Sequence, residues 1–223
     1  MKIMLLFPGI SGIGFNSYGK GMEESWISHG LCSISAYAKK EGFTVELIDL
    51  RCLENWSHFN QIIIEKKPDV VGITMMSVDY NPAIKSIKII KKASPHTIVV
   101  VGGPHPTIML EEIEKEKNID HIITGEGEIS FTGLLKNIEK GDCSPIVIKG
   151  VVPEDLDKLP FADRELFQNL EYPLPVDGFE NPFVTVIAGR GCKYNCNYCQ
   201  PAERIIFGKK VRRRSPANVI QEL

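Results

Sequence analysis

Five short β-branched runs alternate with helix-forming stretches over the first two-thirds of the chain, an order that dictates a layered α/β fold. The runs are Lys2–Phe7, Thr44–Leu50, Val70–Ser77, Thr97–Gly102 and His121–Thr124. Each is apolar along most of its length, as strands covered on both faces of a parallel sheet must be. The intervening stretches carry apolar residues at helical spacing. Leu31, Ile34 and Ala38 share one face, and Ala83, Ile84, Ile87 and Ile90 share another behind the Asn81-Pro82 start signal. Phe131, Leu134, Leu135 and Ile138 form a third. Five βα units without internal repeats predict a flavodoxin-like, Rossmann-type doubly wound sheet over residues 1–148, with its ligand crevice at the carboxyl ends of the strands.

The chain is longer than this domain requires. Five of its 14 prolines fall between Val151 and Pro182, which marks residues 149–182 as an interdomain linker wrapping one domain. A second domain opens at 183. The formal charge is −2 with acids and bases interspersed, so no overall field points to nucleic acid or an anionic membrane. The N-terminal apolar run breaks at Pro8, too early for a signal sequence, and no run approaches the ~20 residues that span a bilayer. A reducing cytoplasm is the expected home.

Residues 183–223 carry the most specific chemistry. Phe183–Ala188 reads as an apolar strand leading into the Gly189-Arg-Gly191 turn. Cys192, Cys196 and Cys199 follow, three residues and then two apart, close enough to converge on one inorganic cluster from a single loop. A structural zinc site needs four ligands, yet no histidine follows Cys199 and the nearest other cysteine is the distant Cys143. A disulfide framework belongs to oxidising compartments. Three thiolates instead suit a [4Fe–4S] cluster with one iron left open to a substrate. Cys32, Cys52 and Cys143 are read as inert thiols. Downstream, Ser215 as N-cap and Pro216 at the first helical position start a helix.

The cysteine run, with Tyr198 before its last member, the strand ahead of it and the helix behind it, resembles the start of the radical S-adenosylmethionine (radical SAM) (β/α) barrel. That resemblance implies S-adenosylmethionine on the open iron and reductive cleavage to a 5′-deoxyadenosyl radical. The loops of the first domain resemble the cobalamin-binding domain of one radical SAM subfamily. They are Pro8–Gly14, Ser77–Tyr80, Val101–Thr107 (with Gly-Gly-Pro-His-Pro-Thr) and Gly125-Glu-Gly-Glu128, with Leu159–Arg164 in the linker. By this resemblance Ser77, Gly102 and Gly103 lie against the corrinoid's nucleotide tail, with Gly125 and Gly127 also near it.

The resemblance implies a cobalamin-dependent methyl transfer to an unactivated centre. The alternatives are a radical oxidative cyclase of the anaerobic tetrapyrrole type and a non-catalytic corrinoid-binding module. It further implies a small-molecule or natural-product substrate and an electron donor such as flavodoxin or ferredoxin, with no nucleic acid and no membrane as partner. The loop after the first strand lacks the Asp-x-His-x-x-Gly motif of many cobalamin proteins, so cobalamin is expected without a histidine ligand from that loop. A dinucleotide site is the rival for the domain; Asp49 fits it, but the spacing of Gly9, Gly12 and Gly14 does not. His105 reads as a polar turn residue, and Glu126 and Glu128 as acids in a helix's first turn. The basic run Lys209–Arg214 reads as a solvated face or as a partner for anionic groups elsewhere in a barrel. A full barrel takes ~200 residues, so this chain is expected to hold only its beginning and to be inactive alone.

Overall fold

The computed structural model describes residues 1–18, 26–167, 184–199 and 202–223. Six parallel strands form one sheet: β1 (Ile3–Phe7), β2 (Val45–Asp49), β3 (Val70–Thr74), β4 (Ile98–Gly102), β5 (His121–Thr124) and β6 (Val147–Lys149). Their order is β2-β1-β3-β4-β5-β6, the flavodoxin-like arrangement extended by one strand. Five were expected. The sixth is a three-residue strand that runs past the 148 boundary, paired to β5 through Ile122–Val147 and Ile123–Ile148.

Helices α1 (His29–Lys40) and α6 (Glu128–Glu139) cover one face. Helices α2 (Trp56–Lys66) and α3 (Tyr80–Ala93) cover the other. The two-residue period of the strands divides the core accordingly. Ile3 and Leu5 pack with Leu31, Phe131 and Leu135, whereas Met4 and Leu6 pack with Phe59, Ile63 and Ile87. Each fully buried side chain of this kind contributes about 1.5–3 kcal/mol. Gly72 in mid-β3 leaves room for Phe131, since a Cβ there would stand 2.9 Å from Leu5 and 3.1 Å from the Phe131 ring. Two short helices, α4 (Pro104–Ile108) and α5 (Leu110–Ile113), follow β4.

The described part of the linker straps the α1 face. Asp163 accepts hydrogen bonds from Ser35 Oγ at 2.5 Å and pairs with Lys39 Nζ at 2.7 Å, while its own N–H donates to the Cys32 carbonyl. Phe167 then closes edge-on against Phe7 with ring centres 6.3 Å apart.

Beyond it, β7 (Gly189–Arg190) pairs antiparallel with β8 (Arg212–Arg213), and α7 (Ala202–Phe207) lies between them in the chain. This corrects the strand expected at 183–188. Phe183 lies outside the described residues, and 184–188 form no strand. Their carbonyls are instead taken by arginines: Thr185 by Arg164, Ile187 by Arg214 and Ala188 by the Arg214 N–H. The final helix α8 (Pro216–Glu222) starts as expected, with Ser215 Oγ accepting from the Asn218 N–H. Among the described residues no helix is long and apolar enough to cross a membrane.

Candidate functional site

The five expected corrinoid-binding residues fall at three adjacent strand ends, Gly102 closing β4 and the others in the loops after β3, β4 and β5, and hydrogen bonds join those loops. Ser77 Oγ lies 3.1 Å from His105 Nδ1, which connects the β3 and β4 loops. Thr107 Oγ1 donates to the Gly103 carbonyl at 2.7 Å and accepts from the Gly125 N–H at 2.9 Å, which connects β4 to β5. Around the Ser77–His105 contact Met76, Val78, Ile108 and Met109 stand exposed. An exposed apolar rim at the carboxyl ends of buried strands suits a large, largely apolar ligand.

The two central glycines differ. Gly103 has φ +102°, and a Cβ there would stand 3.1–3.2 Å from Thr74 Oγ1 and the Met75 backbone. Protein atoms alone therefore require that glycine. Gly102 has ordinary backbone angles, and its nearest obstacle is the Ile123 carbonyl at 3.4 Å. Gly127 caps α6 against Ile34. In the loop after β1, Gly12 and Gly14 take positive φ with no atom of the described residues within 4 Å of a Cβ position. That loop is held from behind by Arg51, whose carbonyl accepts from the Ser17 and Tyr18 N–H groups. The Arg51 guanidinium is paired to Asp49 and sandwiched between the Phe7 and Tyr18 rings at 4.5 and 4.6 Å. Burial raises the carboxyl pKa of Asp79 beside this loop, against the opposing pull of Ser11 and Arg51.

His105 is not a polar turn residue. Pro104 starts a short helix instead, which buries the imidazole against the Tyr80 ring at 5.1 Å and turns Nδ1 to Ser77.

Glu128 stands in the first turn of α6 as expected, with Glu126 two residues ahead of it, but neither acid is solvated. Both are buried, 4% and 3% exposed. Glu126 grips Arg212 through both carboxylate oxygens and accepts from Arg190 Nη1 at 2.5 Å. Glu128 Oε1 accepts from Arg190 Nη2 at 2.6 Å and from Ser33 Oγ at 2.9 Å. Burial opposes ionisation of Glu128, but Arg190 outweighs it and holds the carboxyl below its ordinary range. The basic run is split: Lys209, Lys210 and Arg213 are exposed, whereas Arg212 and Arg214 pair with acids of this chain. Arg212 is buried against Glu126 and the Pro153 carbonyl, and Arg214 binds Glu222 and Asn218. Gly150 permits this close packing, because a Cβ there would overlap the Glu126 and Thr124 carbonyl oxygens.

The arginine clamp leads directly to the cysteine loop. Cys192 is half-buried, while Cys196 and Cys199 are exposed and joined by a turn in which the Cys199 N–H donates to the Cys196 carbonyl. All three are free thiols, the donor type a cluster requires. Among the described residues, however, no three His, Cys, Asp or Glu side chains converge as metal ligands. Convergence of such ligands is commonly coupled to metal uptake itself. Tyr198 is 99% exposed. Of the other thiols, burial raises Cys32 to about 12, which fits its reading as unreactive, whereas Cys52 and Cys143 are exposed.

Comparison with known proteins adds to this geometry. The family model described as the B12 binding domain matches residues 21–135, just over half of the chain. An uncharacterized methyltransferase of Pyrococcus horikoshii is 32% identical over 210 residues, covering 87% of this chain and 44% of the relative. An anaerobic magnesium-protoporphyrin IX monomethyl ester cyclase of Rubrivivax gelatinosus is 24% identical and covers 100% of this chain and 42% of its own. The radical S-adenosylmethionine methyltransferase TsrM of Kitasatospora setae, solved with cobalamin and a [4Fe-4S] cluster, superposes with a TM-score of 0.66. That match has 19% identity and covers 99% of this chain and 44% of that one. The chain thus spans less than half the length of each of these relatives.

Proposed function

The chain belongs to the B12-binding domain family, and from that premise we propose that it is the corrinoid-binding and cluster-bearing part of a cobalamin-dependent radical SAM methyltransferase. The observation that carries this reading is the covalent proximity of two features. The loops of a B12-binding sheet and a Cys192-x3-Cys196-x2-Cys199 run lie in one chain, joined through the Glu126–Arg190 pair. When bound, the cluster supplies the electron that cleaves S-adenosylmethionine, and the corrinoid supplies the transferable methyl group.

The protein's own contribution would be placement. Cys192, Cys196 and Cys199 would hold the cluster. Ser77 and the bare backbone of Gly102 would meet the corrinoid's tail, with Gly103, Gly125 and Gly127 shaping the same crevice. The exposed apolar rim of Met76, Val78, Ile108 and Met109 would exclude water from the corrinoid edge. Residues 1–148 would form the corrinoid domain, with the sheet's last strand running one residue into the 149–182 linker. Residues 183–223 would open the barrel. The substrate would be a small molecule, with a flavodoxin or ferredoxin as electron donor, in a cytoplasmic setting.

A radical cyclase reading is favoured by one observation, the match along the whole chain to the Rubrivivax cyclase. It would use the same residues of this chain, and the difference would lie in the acceptor. Titration of the anaerobic protein with hydroxocobalamin, read by its visible absorption, tests the corrinoid assignment. Saturable binding that weakens in Gly102→Ala supports it, and absence of binding to the folded protein overturns it.

A further inference from the structure

The loop Gly125-Glu-Gly-Glu128 is tied to both ends of the proposed chemistry. On one side, the Gly125 N–H is held by Thr107, in the same short helix as His105, which reaches Ser77. On the other, Glu126 and Glu128 take the two terminal nitrogens of Arg190 separately, Nη1 at 2.5 Å and Nη2 at 2.6 Å. A planar guanidinium bound at both Nη atoms has its plane and its distance fixed together.

Arg190 has little freedom left in its backbone either. It pairs with Arg212 in the β7–β8 ladder, and Arg212 is itself gripped by Glu126. Gly191, next along, has φ +85°, and a Cβ there would stand 2.6 Å from the Lys210 carbonyl. One residue later comes Cys192. Two carboxylates therefore offset two largely buried guanidiniums, one two residues before the first thiol and the other on the strand paired with that segment.

We infer that Glu126 and Glu128 are positioning residues for the cysteine loop: their carboxylates fix the Arg190 fork, and through it the backbone that presents Cys192, relative to the crevice after β3–β5. What the cysteine loop holds rests on the function proposed above. The positioning itself rests only on these contacts. The two acids bond through their side chains to Arg190, Arg212 and Ser33. They act through Arg190, and the partially open Cys192 is where their loss should register.

The experiment uses the 223-residue chain under anaerobic conditions, with Glu126→Gln/Glu128→Gln, Arg190→Lys, and Glu41→Gln as a control at the distant Lys136 ion pair. The readouts are iodoacetamide labelling of Cys192 relative to the exposed Cys143 in the metal-free protein, and iron retained after reconstitution with iron and sulfide. The double variant should raise relative Cys192 labelling at least about threefold by local opening, with a matching loss of retained iron. Glu41→Gln should leave both unchanged. Should the double variant unfold, Arg190→Lys decides: it keeps the charge and the Glu126–Arg212 pair but cannot span both carboxylates, and should give the same rise. Unchanged Cys192 labelling in a folded Arg190→Lys protein overturns the inference. A parent chain that retains no iron overturns the cluster reading instead, while the labelling still decides the positioning.

Discussion

Glu126 and Arg212, 86 residues apart in sequence, form a two-point ion pair with both side chains at most 5% exposed. The pair ties the last described β-segment of the chain to the loop that leaves the parallel sheet. A buried pair stripped of one partner leaves an uncompensated charge, which costs about 3–5 kcal/mol. Arg212→Met should therefore destabilise the protein by about 3 kcal/mol, near the low end because Arg190 still pairs with Glu126. Denaturant unfolding measures this directly. A loss below about 1 kcal/mol would be that of a surface ion pair and would contradict the buried assignment.

The loop after β1 depends on a different arginine. Arg51 lies between the Phe7 and Tyr18 rings and pairs with the buried Asp49. Arg51→Met keeps much of the apolar volume but removes the charge. The expected result is a loss of about 3–5 kcal/mol in unfolding free energy, together with faster hydrogen exchange at the Ser17 and Tyr18 amides.

Gly102 and Gly103 should separate fold from ligand. Gly103→Ala places a Cβ at φ +102° against the Met75 backbone, and the strain should cost about 1–3 kcal/mol whatever the ligand does. Gly102→Ala meets only ordinary contact with Ile123 and should stay within about 1 kcal/mol of the parent. If the corrinoid approaches this backbone, Gly102→Ala should still weaken hydroxocobalamin binding about tenfold, or 1.4 kcal/mol. Equal affinities in Gly102→Ala and parent would move the ligand away from this glycine.

Acid should release the C-terminal segment before the sheet. For Glu128, burial is outweighed by Arg190; for Glu222, burial is outweighed by Arg164 and Arg214, so both carboxyls sit below their ordinary value. A carboxyl lowered on folding stabilises fully above its unfolded pKa of about 4.3 and loses that contribution as pH falls through its folded value. His29, 2.9 Å from Thr185 Oγ1 with its pKa lowered by burial and Arg164, should begin to loosen docking as pH falls below about 6.5. The two carboxyls should add no change above about pH 5, about one unit above their unfolded pKa, and should weaken docking further below about pH 4. Amide NMR signals of Gly189–Arg190 and Arg212–Arg213 should shift or broaden in that window, ahead of those of β4.

The sheet was legible because its strands are continuous apolar runs of four residues or more with periodic helices between them. The sixth strand escaped because Val147–Lys149 offers only three residues beside a proline and a glycine, with too little pattern to separate from a linker. The placement of Ser77 and the glycines at neighbouring strand ends was legible in the sequence. The role of His105 was not, since burial in a one-turn helix depends on Tyr80 and Ser77 arriving from another loop. The clamp was least legible: a turn arginine, a basic run and two acids at a helix start show no link until the fold brings 126 and 128 against 190 and 212. One signal was available in the sequence, the two acids inside a glycine-flanked loop, where a solvated helix start would not need Gly125 and Gly127. The apolar run before Gly189 misled because hydrophobicity alone predicts a strand, whereas here the Arg164 and Arg214 side chains and the Arg214 backbone N–H take the carbonyls of Thr185, Ile187 and Ala188.

The most direct test of the account is anaerobic reconstitution of the chain with iron, sulfide and hydroxocobalamin together, followed by desalting, an absorption spectrum and metal analysis. The account predicts that corrinoid and iron are both retained, and that Cys192→Ala loses iron while keeping corrinoid. Iron retained without corrinoid, or corrinoid lost along with iron in Cys192→Ala, would contradict it.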